Sequence, residues 1–135
     1  MMAQHEVKDG ARLFFRNAAA NTWGILNSRE EFIKDHPDLV RRVITAYEEA
    51  RKYSLANYPE LKRIFIAATK LDDAVVDKQL KERTELTHNK VGPAQRDSIL
   101  EAGIALQKGG VIGANVDVKK AVDELIDDKY VTASN

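Results

Sequence analysis

The chain holds only three prolines, and all three stand in the same kind of place. Pro37 follows "KDH", Pro59 follows "ANY" and Pro93 follows "KVG", and each opens a stretch with apolar residues at helical spacing. Proline in the first helical turn forfeits nothing, because the N–H it lacks would have no intrahelical partner. The residue before it is pushed out of the helical region, so each proline also marks where a preceding helix must stop. Prolines so placed cut the chain into successive capped helices and leave little length for a continuous sheet.

The periodicity fills in the segments. Ser28, with Glu31 three residues on, has capping-box spacing and predicts a short helix over 29–35. Asp35 or His36 caps the next helix, in which Leu39, Val40, Val43, Ile44, Tyr47 and Ala50 form one stripe, predicted to be buried. Glu48 and Lys52 form an i,i+4 pair on its other face. After "NYPE" comes a helix carrying Leu61, Ile64, Phe65 and Ala68, and Asp72 or Asp73 caps another with Val75, Val76 and Leu80. Pro93 opens a long helix bearing Ile99, Leu100, Gly103, Ile104 and Leu106, which Gly109 and Gly110 terminate. Asp117 caps a last helix with Ala121, Val122, Leu125 and Ile126. Two short apolar runs break the helical pattern. "ARLFF" (11–15) and "TWGIL" (22–26), joined by "RNAAAN" (16–21), have the length and boundaries of strands. The expectation is a mainly α fold with one to three short β-strands in a single domain over 1–135, with 1–10 and 129–135 loose.

Charge and composition exclude several classes. Lys+Arg and Asp+Glu both number 21, so the basic excess of a nucleic-acid binder is missing. With no cysteine there is no disulfide framework and no thiolate chemistry. The N-terminal stretch has no basic region followed by a long apolar run, so no secretory signal peptide is expected. The longest apolar runs, such as "IFIAA" at 64–68, are far too short for a bilayer span.

Few side chains invite chemistry. His5, His36 and His88 are never three or four residues apart, and the plain reading is surface or capping histidines, so no metal site is expected. "GGVIGAN" (109–115) lacks the Lys-Ser/Thr of a phosphate loop and reads as a helix stop with a connection. Asp72, Asp73, Asp77, Asp127 and Asp128 read as caps and solvated faces. Trp23 is the sole tryptophan. It reads first as core. Its second reading is the lining of a small-molecule pocket, together with Asn21 and Thr22.

Taken as a block, "GARLFF…NTWGILNSREEFIKDHPDLVRRVITAYEEARKYSLANYPE" resembles the C-terminal part of the substrate-binding proteins of ABC importers, in the aliphatic sulfonate/taurine/nitrate group. The likeness lies in "NSREEF" (27–32) after a short apolar strand, "DHPD" (35–38) before a long helix, and "NYPE" (57–60) opening the next. It continues in "TKLDDAVVDKQL" (69–80) and "VDVKKAVDELID" (116–127), so it covers about residues 10–128. The resemblance implies part of one lobe of a two-lobe α/β binding protein, with no cofactor and no catalysis. A small anionic ligand would then be held between the lobes, and an ABC permease would be the partner. It implies a periplasmic location for the intact protein, whereas this stretch without an export signal would stay in the cytoplasm. It leaves Asn21, Thr22 and Trp23 as ligand-binding candidates. A piece of such a lobe would expose apolar surface and cover it as a homo-oligomer. The alternative from the residues alone is a stand-alone helical protein-interaction module.

Overall fold

A computed structural model describes residues 2–17 and 23–131. Helix accounts for 64% of these residues, in keeping with a mainly α fold. The helices are α1 (Met2–Lys8), α2 (Glu30–Asp35), α3 (Pro37–Ala56), α4 (Tyr58–Thr69), α5 (Asp73–Arg83), α6 (Pro93–Lys108) and α7 (Val118–Leu125). Each proline falls in the first turn of its helix.

The expected strands are a correction. Among the described residues there is no strand: 11–15 and the described part of 22–26 are irregular. A strand is held by its ladder partner, and neither run finds one, so their β-propensity has nothing to pair with. The polar lead-in expected over 1–10 is also corrected, because 2–8 is α1. Seven residues are too few for a stable isolated helix, so α1 depends on packing, and Ala3 is 1% exposed. Past its end at Lys8 the chain turns at Gly10, whose φ of +65° is open to glycine at no steric cost. The connection 16–21 and the tail 131–135 lie largely outside the described residues.

The chain divides into two compact units. The first comprises 1–17 and 46–88, hence α1, the later part of α3, α4 and α5. Here α5 packs against both α1 and α4. Its Val75 and Val76 are 1% and 0% exposed, and Leu80 completes the buried row. Helix α4 ends on Lys70, a non-glycine residue at φ 59° whose amide closes on the Ile66 carbonyl at 2.8 Å.

The second unit comprises 18–45 and 89–135, hence α2, the first turns of α3, α6 and α7. Arg29, not Ser28, stands at the N-cap of α2, and it makes no side-chain cap. In α6, Gln95 accepts from the Gly92 amide at 3.0 Å and so satisfies one unpaired donor at the helix start. At its other end the Val111 amide reaches the Leu106 carbonyl at 2.9 Å and the Gly110 amide reaches Gln107 at 3.0 Å. With Gly110 at φ +75° this is a Schellman stop. Asp117 caps α7 by accepting from the Lys120 amide at 3.0 Å, as the sequence predicts. Helices α6 and α7 meet at Gly103, where an added Cβ would lie 2.7 Å from Val118 Cγ1.

Both cores are small. Among the described residues seven apolar side chains are buried and nineteen large ones are exposed, so the helices bury only part of their apolar faces. The α3 stripe shows it: Val40 is buried, but Val43 and Tyr47 are 44% and 62% exposed. This corrects the expectation of a buried stripe, because helical spacing aligns side chains without supplying the surface that covers them.

Candidate functional site

Two charged networks and one exposed aromatic run are the features of the first unit with functional potential. The first network joins α4 to α5. Tyr58 and Lys62 lie one turn apart on α4; Asp73, Asp77 and Lys81 repeat at the same interval on α5. The Tyr58 hydroxyl donates to Asp77 Oδ1 at 2.6 Å and Lys81 Nζ sits 2.8 Å from Asp77 Oδ2. Lys62 Nζ reaches Asp73 at 2.7 Å and Asp77 at 3.2 Å. Lys81 also rides over the Tyr58 ring, 5.2 Å from its centre. Lys81 first, and Tyr58 next, hold the Asp77 carboxyl well below the usual carboxylate range. A carboxylate so supplied with donors is a poor proton acceptor. Burial first, then the bond to Asp77, pushes the Tyr58 phenol up to about 12. The network braces two helices. The sequence does carry a signal for it, in complementary i,i+4 pairs on consecutive helices, which reading the aspartates one at a time as caps overlooks.

The second network joins α1 to α5. Glu6 accepts from Arg83 Nη2, and Lys78 Nζ lies 3.4 Å from the same carboxylate. Lys8 Nζ reaches Asp72 at 2.6 Å. The Arg83 side chain is 5% exposed, yet its Nε and Nη1 find no acceptor. Arg83 first among its neighbours, the guanidinium lowers the Glu6 carboxyl below its ordinary value.

The third feature is the segment 11–17. Leu13, Phe14 and Phe15 are 45%, 99% and 74% exposed, so two neighbouring aromatic rings stand in solvent. Arg16 ties the segment to α5 by donating to the Glu82 carbonyl at 3.1 Å.

Of the ligand candidates, Asn21 and Thr22 lie outside the described residues. Trp23 is half-buried, and its neighbours Ile25 and Leu26 are 41% and 52% exposed. The histidines are found apart from one another in sequence and in local partners. His5 pairs with Asp9 at 2.7 Å, His36 tilts against the Phe32 ring at 5.0 Å, and His88 lies 3.8 Å from Glu85. No group of three metal-ligating side chains gathers among the described residues. Glu48 takes Arg51 at 2.7 Å in preference to Lys52 at 3.6 Å, and Arg51 also donates to the carbonyls of Leu86 and Thr87. Glycines 109 and 110 form the helix stop described above. No helix among the described residues is long and apolar enough to cross a membrane. Compared with family models, with curated proteins and with solved structures, the chain matches none.

Proposed function

We propose that this chain is a helical protein-interaction module, without catalysis, that docks its uncovered apolar surface on a second copy of itself. The observation that carries the reading is the amount of surface left over. Among the described residues nineteen large apolar side chains are exposed and only seven apolar side chains are buried, and Leu13, Phe14 and Phe15 stand together in one uncovered segment. Contiguous exposed apolar surface of this kind marks an interaction site. Phe14 and Phe15 are the anchors, since exposed aromatic rings bury much area at low entropic cost.

The test is the mass in solution. Light scattering on the wild-type chain is expected to give a dimer or larger species, and Phe14→Ser with Phe15→Ser is expected to move it toward monomer. A wild-type chain that stays monomeric at high concentration overturns the reading.

A second reading is part of the solute-binding component of an ABC importer for sulfonate-like anions. It is favoured by the order of α2 to α7, with proline-led helices where the resemblance puts them. Its sheet has no counterpart among the described residues, which is why it stands second. An in-frame first lobe upstream of Met1, with adjoining permease and ATPase genes, would support it; an isolated short gene would count against it.

A further inference from the structure

Helix α1 is attached differently from the other helices. Of its apolar side chains only Ala3 is buried, while Met2 and Val7 are 54% and 41% exposed. Its hold on α5 is mostly ionic: Glu6 to Arg83 and Lys78, and Lys8 to Asp72. The central pair is incomplete on the α5 side, because Arg83 donates to Glu6 through one nitrogen and leaves Nε and Nη1 buried without an acceptor. Behind α1 comes a stretch, 9–17, with no helix or strand and with every residue exposed. It turns at the positive-φ Gly10 and is tied by the Arg16 bond to Glu82. Extended, its nine residues reach about 30 Å, enough for α1 to leave one α5 and arrive at another.

We infer that α1 is an exchangeable element: the face of α5 around Lys78 and Arg83 takes the α1 of a second copy, as it takes its own. Each docking contact within one chain has an identical counterpart between two chains, so exchange changes none of them. What differs is that exchange carries 9–17, with Leu13, Phe14 and Phe15, across the pair, where these side chains gain a surface to cover. The occupant is set by charge. The α5 face presents two cations, Lys78 and Arg83, with an anion at its N-cap, Asp72, and the α1 of this chain presents the matching Glu6 and Lys8. The inference rests on the self-association proposed above and specifies how it is made.

Charge reversal separates exchange from plain association. In Glu6→Arg each chain turns a cation toward its own Arg83, and in Arg83→Glu each chain turns an anion toward its own Glu6. Neither variant can dock α1 on itself or on its own kind. In an equimolar mixture both pairs are restored only when α1 crosses between unlike chains. Native mass spectrometry of the mixture, one variant isotopically labelled, is expected to show heterodimer well above the half that random pairing gives. Random proportions, or monomers only, overturn the exchange. If the wild type is dimeric while the mixture pairs at random, self-association stands and exchange fails; a monomeric wild type removes both. Because the single variants can fail to fold, the wild type supplies an independent reading. After light and heavy wild-type chains are mixed and equilibrated, a zero-length carbodiimide cross-link between Lys8 and Asp72 is expected to join light peptide to heavy. Cross-links confined to light–light and heavy–heavy peptides overturn the inference.

Discussion

Asp77 and Tyr58 show how a single contact changes the titration of two groups in opposite directions. The phenol is raised to about 12 by burial and by its bond to Asp77, against about 10 in the unfolded chain. The folded state therefore holds the proton more tightly. The stability this contributes is present below about pH 10 and is lost as pH rises toward 12. Asp77 is lowered, so its contribution is present above the unfolded carboxylate value of about 4 and is lost as the solution is acidified below it. The chain has four tyrosines. A spectrophotometric titration is expected to show a late tyrosinate step approaching pH 12, and Tyr58→Phe should remove that step. Tyr58→Phe should also cost about 1.5–3 kcal/mol near neutral pH, the range for a hydrogen bond to a charged group, read from urea unfolding. A late step that is missing, or that survives Tyr58→Phe, would contradict the assigned contact. Of this pair the sequence showed the spacing. It did not show the bond, since which face α4 turns to α5 depends on how the chain passes through Lys70 to Asp72.

At the scale of elements, α6 and α7 approach closely because Gly103 has no side chain. In an isolated helix Gly→Ala is favourable by about 1 kcal/mol. Here the new methyl would meet Val118 Cγ1 at 2.7 Å, and a β-branched side chain has little freedom to move aside. Overpacking of this kind typically costs about 1–3 kcal/mol. Gly103→Ala is therefore expected to destabilise by about 1 kcal/mol net. Adding Val118→Ala should recover part of the clash term, so that the double variant is non-additive in denaturant unfolding. A Gly103→Ala chain more stable than wild type would mean that α6 and α7 do not pack at this position. The starts of α3, α4, α6 and α7 were legible as Pro37, Pro59, Pro93 and the Asp117 cap, because caps and prolines act through bonds within a few residues. Helix α1 was not legible: its seven residues have no cap signature, and it is held by residues 64 and more positions away.

For the molecule as a whole, the governing fact is the mismatch between apolar content and apolar burial. Hydrophobic residues make up 44% of the chain, ordinary for a globular domain, while among the described residues exposed large apolar side chains outnumber buried ones. If a second copy supplies the missing cover, folding and association are linked and stability depends on protein concentration. Each tenfold increase in concentration is then expected to stabilise the dimer by about 1.4 kcal/mol and to raise the melting temperature by a few degrees. Calorimetric scans at several concentrations check this, and a melting temperature independent of concentration would argue that each chain is complete alone. Trp23 fluorescence followed during the same dilution series reports the half-buried indole near the second unit's irregular segment.

The sequence by itself determined what is local: where helices begin at the prolines, where α6 stops at Gly109 and Gly110, and that charge is balanced. These rest on backbone geometry and bonds spanning a few positions. It also misled locally, since 11–15 and 23–26 have strand-like composition but find no ladder partner among the described residues. Tertiary structure alone decided which apolar stripes are covered, that Val75, Val76 and Leu80 are buried while Phe14 and Phe15 are not, and that α1 exists at all. The physical reason is that burial and pairing belong to two surfaces at once, and a chain read in one dimension states only one of them.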